Sequence, residues 1–249
     1  MKGVFHKLAH LSFTGMAMSG IALMPPSAAL ALSEQQILEK LSSVPVFLIA
    51  DEEGNWLRSG DTEEIVVFID AVGAEAVASE VTEDENFTGE LQIVPFLLSE
   101  VYEGISAQSG GAESLSYFPA LESWVQASEI AEREIDGVPL FAIVNEVEGE
   151  VYLPTVDETI PLYFSFSDIQ SDIANLVENN PELEESIGIQ MFILESLLAD
   201  MSANDSERDE FLEQVRFIAP SQTLQLLESI SEEVPASGEV PAADETPTE

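Results

Sequence analysis

The chain has 249 residues, of which 48 are acidic and 7 are basic, so its formal net charge is −41. Its hydrophobic fraction of 45% is that of a folded protein and argues against disorder along the whole chain. The lack of cysteine excludes disulfides, thiol nucleophiles and cysteine-ligated zinc. The scarcity of Lys and Arg excludes a protein that binds nucleic-acid backbones.

Residues 1–31 have the pattern of a cleaved secretory signal peptide. Lys2 and Lys7 precede an apolar segment over residues 11–24, and Ala29 and Ala31 form a small-x-small cleavage site. The apolar segment is too short to cross a bilayer, which takes about 20 residues. We therefore expect export and a mature chain of 218 residues; a retained N-terminal anchor is the alternative.

The mature chain would be poorly equipped for catalysis. Both histidines, His6 and His10, lie in the predicted signal peptide, so five basic residues and a net charge of −43 would remain. Without His and Cys, the catalytic triads and the usual zinc sites are not available. Close carboxylate pairs are inevitable among so many acidic residues and carry no information. We expect no enzyme, with a carboxylate-dependent hydrolase as the alternative.

Acidic loops at residues 51–55, 84–90 and 204–209 could attract Ca²⁺, which prefers oxygen ligands. None of them has the spacing of the twelve-residue calcium loop with its central glycine. The sequence therefore predicts no metal and no other cofactor.

A pattern near residue 44 recurs 94 residues later. Val44–Ala50 is a short apolar run that ends in an acidic turn with Gly54, and Val138–Val144 repeats it ahead of a turn with Gly149. Runs of this length and composition are typical of strands buried on both faces.

Both copies then continue with the same order of elements. The sequence predicts a second strand at 65–69 and 160–166, a helix at 70–81 and 167–177, a third strand at 91–98 and 187–194, short helices from 99 and 195, a fourth strand at 116–119 and 215–220, and a closing helix at 121–134 and 221–230. Ser33, with Gln36 in the capping-box position, and Ser167 are the predicted N-caps.

These observations predict an α/β fold of two pseudo-symmetric repeats, about 34–130 and 131–230, each with a small helix-covered sheet. The repeats would form a two-lobed body with lateral apolar grooves, and the domain as a whole would span residues 32–230. Residues 231–249 have three prolines and no apolar period, which predicts a disordered acidic tail. A single α/β domain with chance matches is the alternative.

Several large side chains could line such grooves, although each could equally fill the core. Trp124 is expected to share the inner face of its helix with Leu121, Val125 and Ser128. The candidates for client contact are Trp56, Phe96, Tyr117, Trp124, Tyr152, Met191 and Phe192.

The duplicated Val-Pro-Val-Phe-Leu-Ile and Val-Pro-Leu-Phe-Ala-Ile runs, together with Leu-Gln-Ile-Val-Pro-Phe and the Phe-Pro and Ala-Pro strands, resemble the Tic twenty-two (Tic22) family of the chloroplast envelope and of cyanobacteria. The resemblance covers about residues 34–230. It implies a two-lobed α/β protein with apolar pockets and with no catalytic residue.

The resemblance also implies a function. It points to a periplasmic chaperone-like factor that escorts unfolded outer-membrane precursors and contacts the outer-membrane barrel-insertion machinery, with the thylakoid lumen as another possible location. Clients would be held by exposed apolar grooves or by edge strands. No nucleic acid and no stable membrane insertion are expected. The alternative is an extracytoplasmic module that binds a small molecule or lipid in the same grooves.

The acidity exceeds what solubility requires, which is about 2 to 8 charges for a small domain. Repulsion on this scale destabilises the compact state unless salt screens it. We therefore expect a halophilic or salt-tolerant source; the alternative is an acidic protein from an ordinary organism.

We expect the melting temperature of the mature chain to rise by about 5 °C or more between about 0.1 and 1 M NaCl, because the Debye length shortens from about 10 Å to about 3 Å. Differential scanning calorimetry measures the change, with isosmotic sucrose as the control for solute exclusion. A melting temperature that does not respond to NaCl beyond the sucrose control would contradict the salt hypothesis.

Overall fold

The structure is a computed structural model and describes residues 32–60, 64–85, 87, 89–109, 115–147, 149–203 and 209–233. The predicted signal peptide, the acidic loop at 204–208 and the tail from 234 onward lie outside the described residues. In chain order the elements are α1 (Glu34–Leu41), β1 (Pro45–Asp51), β2 (Ile65–Phe68), α2 (Ala71–Glu83), β3 (Leu91–Leu97), α3 (Leu98–Ser109), β4 (Leu115–Phe118), α4 (Leu121–Ala131), β5 (Pro139–Val147), β6 (Glu150–Tyr152), β7 (Ile160–Tyr163), α5 (Phe166–Asn179), β8 (Ile187–Ile193), α6 (Leu194–Ser202), α7 (Asp209–Gln214), β9 (Val215–Ile218) and α8 (Ser221–Glu233).

The strands form two sheets, one from each half of the chain. In the first sheet the order is β3-β1-β2-β4. β1 is antiparallel to β3 and β2, and β2 is parallel to β4. In the second sheet β5 is antiparallel to β8 and β7, and β7 is parallel to β9; β6 adds a short hairpin to β5. Four strands of each half thus agree in order and direction, and a pseudo-twofold relation between the halves stays a prediction.

The predicted element boundaries differ from the structure at a few places. Phe166 begins α5 instead of ending a strand, and the N-cap of this helix is Ser165, not Ser167. Ser165 immediately precedes the helix and has an extended backbone. Its hydroxyl accepts the amide hydrogen of Asp168 at 3.2 Å. The capping box of Ser33 and Gln36 is present as predicted. Helix α8 continues to Glu233, three residues into the predicted tail.

The central strands of both sheets are buried on both faces. Alternate residues of β1 enter different clusters, with Val46 and Leu48 on one face and Phe47 and Ile49 on the other. Alternate residues of β5 also enter different clusters, with Leu140 on one face and Phe141 on the other. This double burial explains why both strands read as continuous apolar runs.

The largest cluster of buried apolar side chains, which we call the central cluster, contains one face of each sheet together with α1, α3, α6 and α7. The clusters on the opposite faces of the two sheets are the outer clusters. The central cluster joins buried residues from Leu32 to Phe217 into a single group. Two lobes with separate cores would have given one cluster for each half, so the structure differs here from the expected two-lobed body with a seam. Each fully buried aliphatic or Phe side chain stabilises by about 1.5–3 kcal/mol, so the shared cluster holds the halves together.

The closing helices cross over between the halves. Helix α4 belongs to the first half, but its Ala127 lies in the outer cluster of the second sheet with Phe141 and Phe166. Helix α8 belongs to the second half, and its Leu226 and Leu227 pack against the outer cluster of the first sheet. Each sheet is therefore covered on its outer face by one helix of its own half and one of the other.

This exchange corrects the predicted inner face of α4. Leu121 is 69% exposed and Val125 is 38% exposed, whereas Ser123 and Ala127 are buried. The helix is held by Ser123, whose hydroxyl donates to the carbonyl oxygen of Phe164 at 3.0 Å and accepts the amide hydrogen of Phe166 at 3.1 Å. The partner surface from the other half thus decides which face is buried.

We expect Ser123→Ala to lower the free energy of unfolding by about 1–3 kcal/mol, because two buried backbone groups lose their partner. The matched control is Thr223→Val, which changes a residue that is also buried, at the corresponding place in α8, but that makes no side-chain hydrogen bond within the described residues. Urea unfolding measures both variants. Equal losses for the two would contradict the bridging role of Ser123.

Candidate functional site

The predicted groove residues do not gather in one place. Trp56 and Phe96 meet edge-to-face with ring centroids 5.6 Å apart and pack against the central cluster. Phe192 packs against the same cluster and stacks on Phe211 at 5.5 Å. Its neighbour Met191 faces the opposite side of the second sheet, where it packs against the outer cluster. A common groove wall is therefore not formed by these four side chains.

The other candidates are dispersed as well. Trp124 packs against the outer cluster of the second sheet, and its indole nitrogen donates to the carbonyl oxygen of Ile135 at 3.1 Å. Tyr152 is 48% exposed on the β5–β6 hairpin, and its hydroxyl donates to Glu150. Tyr117 packs against the central cluster, and its buried hydroxyl has no hydrogen-bond partner among the described residues.

A partly buried carboxyl group lies between α6 and the start of β5. Both carboxylate oxygens of Glu195 accept the amide hydrogen of Val138, at 3.0 and 3.3 Å. Gly137 has φ +95°, and a Cβ atom there would lie 2.6 Å from the Glu195 carboxylate, so only glycine permits this close contact. Burial raises the pKa of Glu195, and the charge of Asp136 raises it further, against the lowering effect of the backbone hydrogen bonds.

Four helices begin around one small cavity of about 90 Å³, a place that sequence reasoning missed. The helices are α2, α4, α5 and α8, so both halves contribute equally. Its lining residues are Asp70, Ala71, Val72, Ala120, Glu122, Ser123, Ser165, Ser167, Pro220, Gln222, Thr223 and Leu226. The exchange of the closing helices creates this meeting point, and no local motif in the sequence marks it.

Side chains accept hydrogen bonds from the first turns of α2, α5 and α8, whereas α4 follows Ala120 and has no side-chain cap. Asp70 accepts the amide hydrogen of Gly73 at 2.8 Å in α2. Asp168 accepts the amide hydrogen of Ser221 at 2.8 Å and its hydroxyl at 2.6 Å, which links α5 to α8. Because carboxylates occupy the positive ends of two helices, the cavity offers little attraction to a further anion.

Apolar side chains are exposed beside this cavity. We call four of them the helix-start patch: Val72 is 68% exposed, Leu121 is 69% exposed, Phe118 is 44% exposed and Leu224 is 43% exposed. Val72 lines the cavity, Leu121 lies between its lining residues Ala120 and Glu122, and Leu224 follows Thr223. Phe118 lies beside Gly73 in the first turn of α2. Exposed apolar side chains that lie together, bordered by polar groups, are typical of surfaces that contact other proteins.

A second, more open cleft of about 630 Å³ lies between α1 and β9. Its Lys40 ammonium donates to the carbonyl oxygens of Glu213 and Val215, at 2.8 and 2.9 Å, and burial lowers the pKa of Lys40. The cleft also contains Glu39, Glu213 and Arg216, so its walls are charged. The first cavity is smaller than the 300–1,000 Å³ or so that a small-molecule site needs, and Val215 is the one apolar residue among the described residues that line the second. Neither favours a lipid-binding module.

Within the part of the chain that the structure describes, no three His, Cys, Asp or Glu side chains are placed to hold a metal ion together. Among the same residues, no helix combines the length and the apolar character that crossing a membrane requires.

We expect Glu195→Gln to stabilise the protein at neutral pH, because the amide oxygen can still accept from the Val138 N–H without a partly buried charge. Folding raises the pKa of Glu195 above its unfolded pKa of 4.5. The contribution of the wild-type carboxyl to folding stability is therefore fully present below pH 4.5, and it is lost as the pH rises through the folded pKa. The advantage of the variant over wild type should therefore grow from about pH 4.5 upward.

Urea unfolding of both proteins between about pH 4 and pH 8 measures this difference. The control is Glu129→Gln in α4, an exposed position where the same charge is removed without relief of burial. A variant whose advantage does not change with pH would contradict the burial of the Glu195 charge.

Comparison with known proteins places the chain in a family. Its fold is similar to that of Tic22 from Anabaena, a structure titled as protein transport, with a TM-score of 0.60 and 20% sequence identity over 80% of this chain and 97% of the other. It is also similar to Tic22 from Plasmodium falciparum, with a TM-score of 0.56 and 16% identity over 79% and 98% of the two chains. No curated protein sequence matches the chain. A sequence model described as the Tic22-like family matches residues 9–229, and the chain therefore belongs to that family.

Proposed function

We propose that this chain is a non-enzymatic protein-transport factor of the periplasm that holds unfolded outer-membrane precursors and brings them to the barrel-insertion machinery. Membership of the Tic22-like family supports the transport role, since the Anabaena protein of similar fold is titled as protein transport. The secretory pattern of residues 1–31 supports export. The resemblance of the duplicated strand runs to the Tic22 family supports outer-membrane precursors as the clients.

The helix-start patch is the observation that carries the proposal. Val72 and Leu121 each expose more than two thirds of their surface, in the first turns of helices that begin at a cavity lined in part by Asp70 and Glu122. Such a surface binds apolar segments of an unfolded chain without selecting one sequence, because apolar contact is not directional. A holding factor needs this kind of recognition.

The charge of the protein favours the same role. A complex between an unfolded apolar client and a chain of net charge −41 stays soluble, because the charged surface opposes association between complexes. Asp70 and Glu122 lie at the cavity beside the patch. The patch is thus bordered by carboxylates that keep water close to the bound client.

The remaining groove candidates have a secondary part in this proposal. Trp56 and Phe96 are partly exposed at the border of the central cluster and offer a second apolar contact. Two symmetric grooves would follow if the halves are related by a pseudo-twofold axis, since α2 and α4 of the first half correspond to α5 and α8 of the second. The tail beyond α8 serves solubility.

We expect the mature protein at stoichiometric excess to suppress aggregation of an unfolded outer-membrane barrel protein, measured by light scattering after dilution from urea. The double variant Val72→Ser, Leu121→Ser should lose at least about half of this activity, because it removes the two most exposed apolar side chains of the patch.

The matched control is Ile230→Ser, which removes an apolar side chain that is 50% exposed but lies near the far end of α8. It should retain wild-type suppression. Suppression that the double variant and the control retain equally would contradict the patch as the client surface. The absence of suppression by the wild type would contradict the proposed function.

A further inference from the structure

The edges of the two sheets are not equally protected. An edge strand presents backbone N–H and C=O groups that can pair with another chain, and proteins usually block them. At β9, Lys40 donates to the carbonyl oxygen of Val215 at 2.9 Å and Ser43 donates to that of Phe217 at 3.5 Å, so α1 covers this edge. β4 has only four residues and offers few groups.

The edge at β3 is blocked by its own sequence. Leu98 donates to the carbonyl oxygen of Val44 across the pair, so even-numbered residues of β3 bond to β1 and odd-numbered ones point outward. Pro95 is an outward position in the middle of the strand and has no N–H to donate. The outward N–H of Leu97 donates to the Glu100 carboxylate at 2.9 Å.

The corresponding edge at β8 is open. Leu194 donates to the carbonyl oxygen of Val138, and Glu146 donates to that of Ser186, so even-numbered residues of β8 bond to β5. The N–H groups of Ile189, Met191 and Ile193 therefore point away from the sheet. None of them has a hydrogen-bond partner within the described ranges, and β8 pairs with no strand other than β5 there.

Met191 holds the place that Pro95 holds in β3. Met191 lies opposite Phe141, and Pro95 lies opposite Phe47, in pairings of the same direction and length. Among the residues that the structure describes, the Met191 carbonyl oxygen accepts only from the side chain of its neighbour Gln190, at 3.1 Å. β8 has seven residues with no proline and no charged side chain, so it lacks the usual devices against strand addition.

The side chains beside this edge indicate what an added strand would contain. Ile189, Met191 and Ile193 pack against the outer cluster, and Phe192 extends the central cluster together with Phe211. A neighbouring strand with an apolar side chain at every second position would continue the outer layer.

The charges next to β8 indicate the rest of the partner. Residues 178–200 contain six acidic residues and no Lys or Arg. A segment with basic residues between its apolar positions complements this field, whereas a second copy of the chain brings the same negative charge against it.

We propose that the β8 edge binds an extended segment of alternating apolar and basic residues, which adds to the second sheet as a further strand. This inference rests on the proposed function, because the segment would belong to an unfolded client. The backbone supplies affinity without sequence selection, and the alternation of side chains supplies the preference for segments that form strands.

The test uses a fluorescent peptide of alternating Val and Lys, about nine residues long, and the mature protein. A second peptide of equal charge is methylated on alternate backbone nitrogens, so that it cannot pair along one edge. We expect the first peptide to bind at least about fivefold more tightly than the second, by fluorescence anisotropy. It should also slow amide exchange at Ile189, Met191 and Ile193.

The decisive variant is Met191→Pro, which copies the proline that β3 accommodates at the same register. It should weaken peptide binding at least about fivefold, while Met191→Leu, which keeps the N–H, should bind as wild type. If Met191→Pro does not fold, amide exchange in the wild type decides the question. Equal binding of the two peptides, or unchanged exchange at β8, would overturn the proposal.

The remaining outcomes also discriminate. A wild-type protein that dimerises in analytical ultracentrifugation and becomes monomeric as Met191→Pro would assign the edge to a second copy and overturn the proposal. Suppression of aggregation without peptide binding at β8 would refute the edge and leave the proposed function. Peptide binding without suppression would refute the function and leave the edge.

Discussion

The shared apolar cluster is the constraint on which the rest of the molecule depends. Inner-face residues of both sheets, such as Val46 and Leu140, are buried in the same group as side chains of four helices. Neither half could bury this face alone. Each sheet of four short strands has two apolar faces, and its inner face is covered by the other half of the chain. The two copies of the pattern therefore fold as one body, and a net charge of −41 is tolerated because the cohesive surface is large and internal.

The exchange of closing helices follows from the same constraint and decides where function can reside. Because α4 covers the second sheet and α8 the first, four helices begin around one cavity. Their first turns expose Val72 of α2, a helix that packs on the sheet of its own half, and Leu121 of α4, a helix that packs on the sheet of the other half. The exchange thus brings the start of α4 to the same cavity as the start of α2. The helix-start patch adds exposed apolar side chains to a protein of net charge −41.

The two halves also show how duplicated elements diverge. Ser123 and Thr223 are both buried in the first turns of closing helices, but only Ser123 bridges two backbone groups. Pro95 closes the edge of β3, while Met191 leaves the edge of β8 able to pair. Both closing helices keep a buried hydroxyl but differ in its hydrogen-bond partners, and both strand pairings keep the register but differ in one backbone N–H. Function can therefore differ between the halves without a change in their architecture.

The sequence by itself determined four strands of each half, the order of the main elements and the family resemblance, because buried strands and capped helices leave local patterns of apolar, proline and serine residues. It also excluded cysteine chemistry, since composition alone decides that. It did not predict β6 or α7. It was wrong about the inner face of α4, where Leu121 and Val125 are exposed, and about the N-cap of α5. Only the tertiary structure decided the shared core, the exchanged helices, the patch and the open edge of β8. These features depend on contacts between residues far apart in the chain, as in the hydrogen bond between Tyr102 and Ser202, 100 positions apart, and no local pattern encodes which half supplies the partner surface.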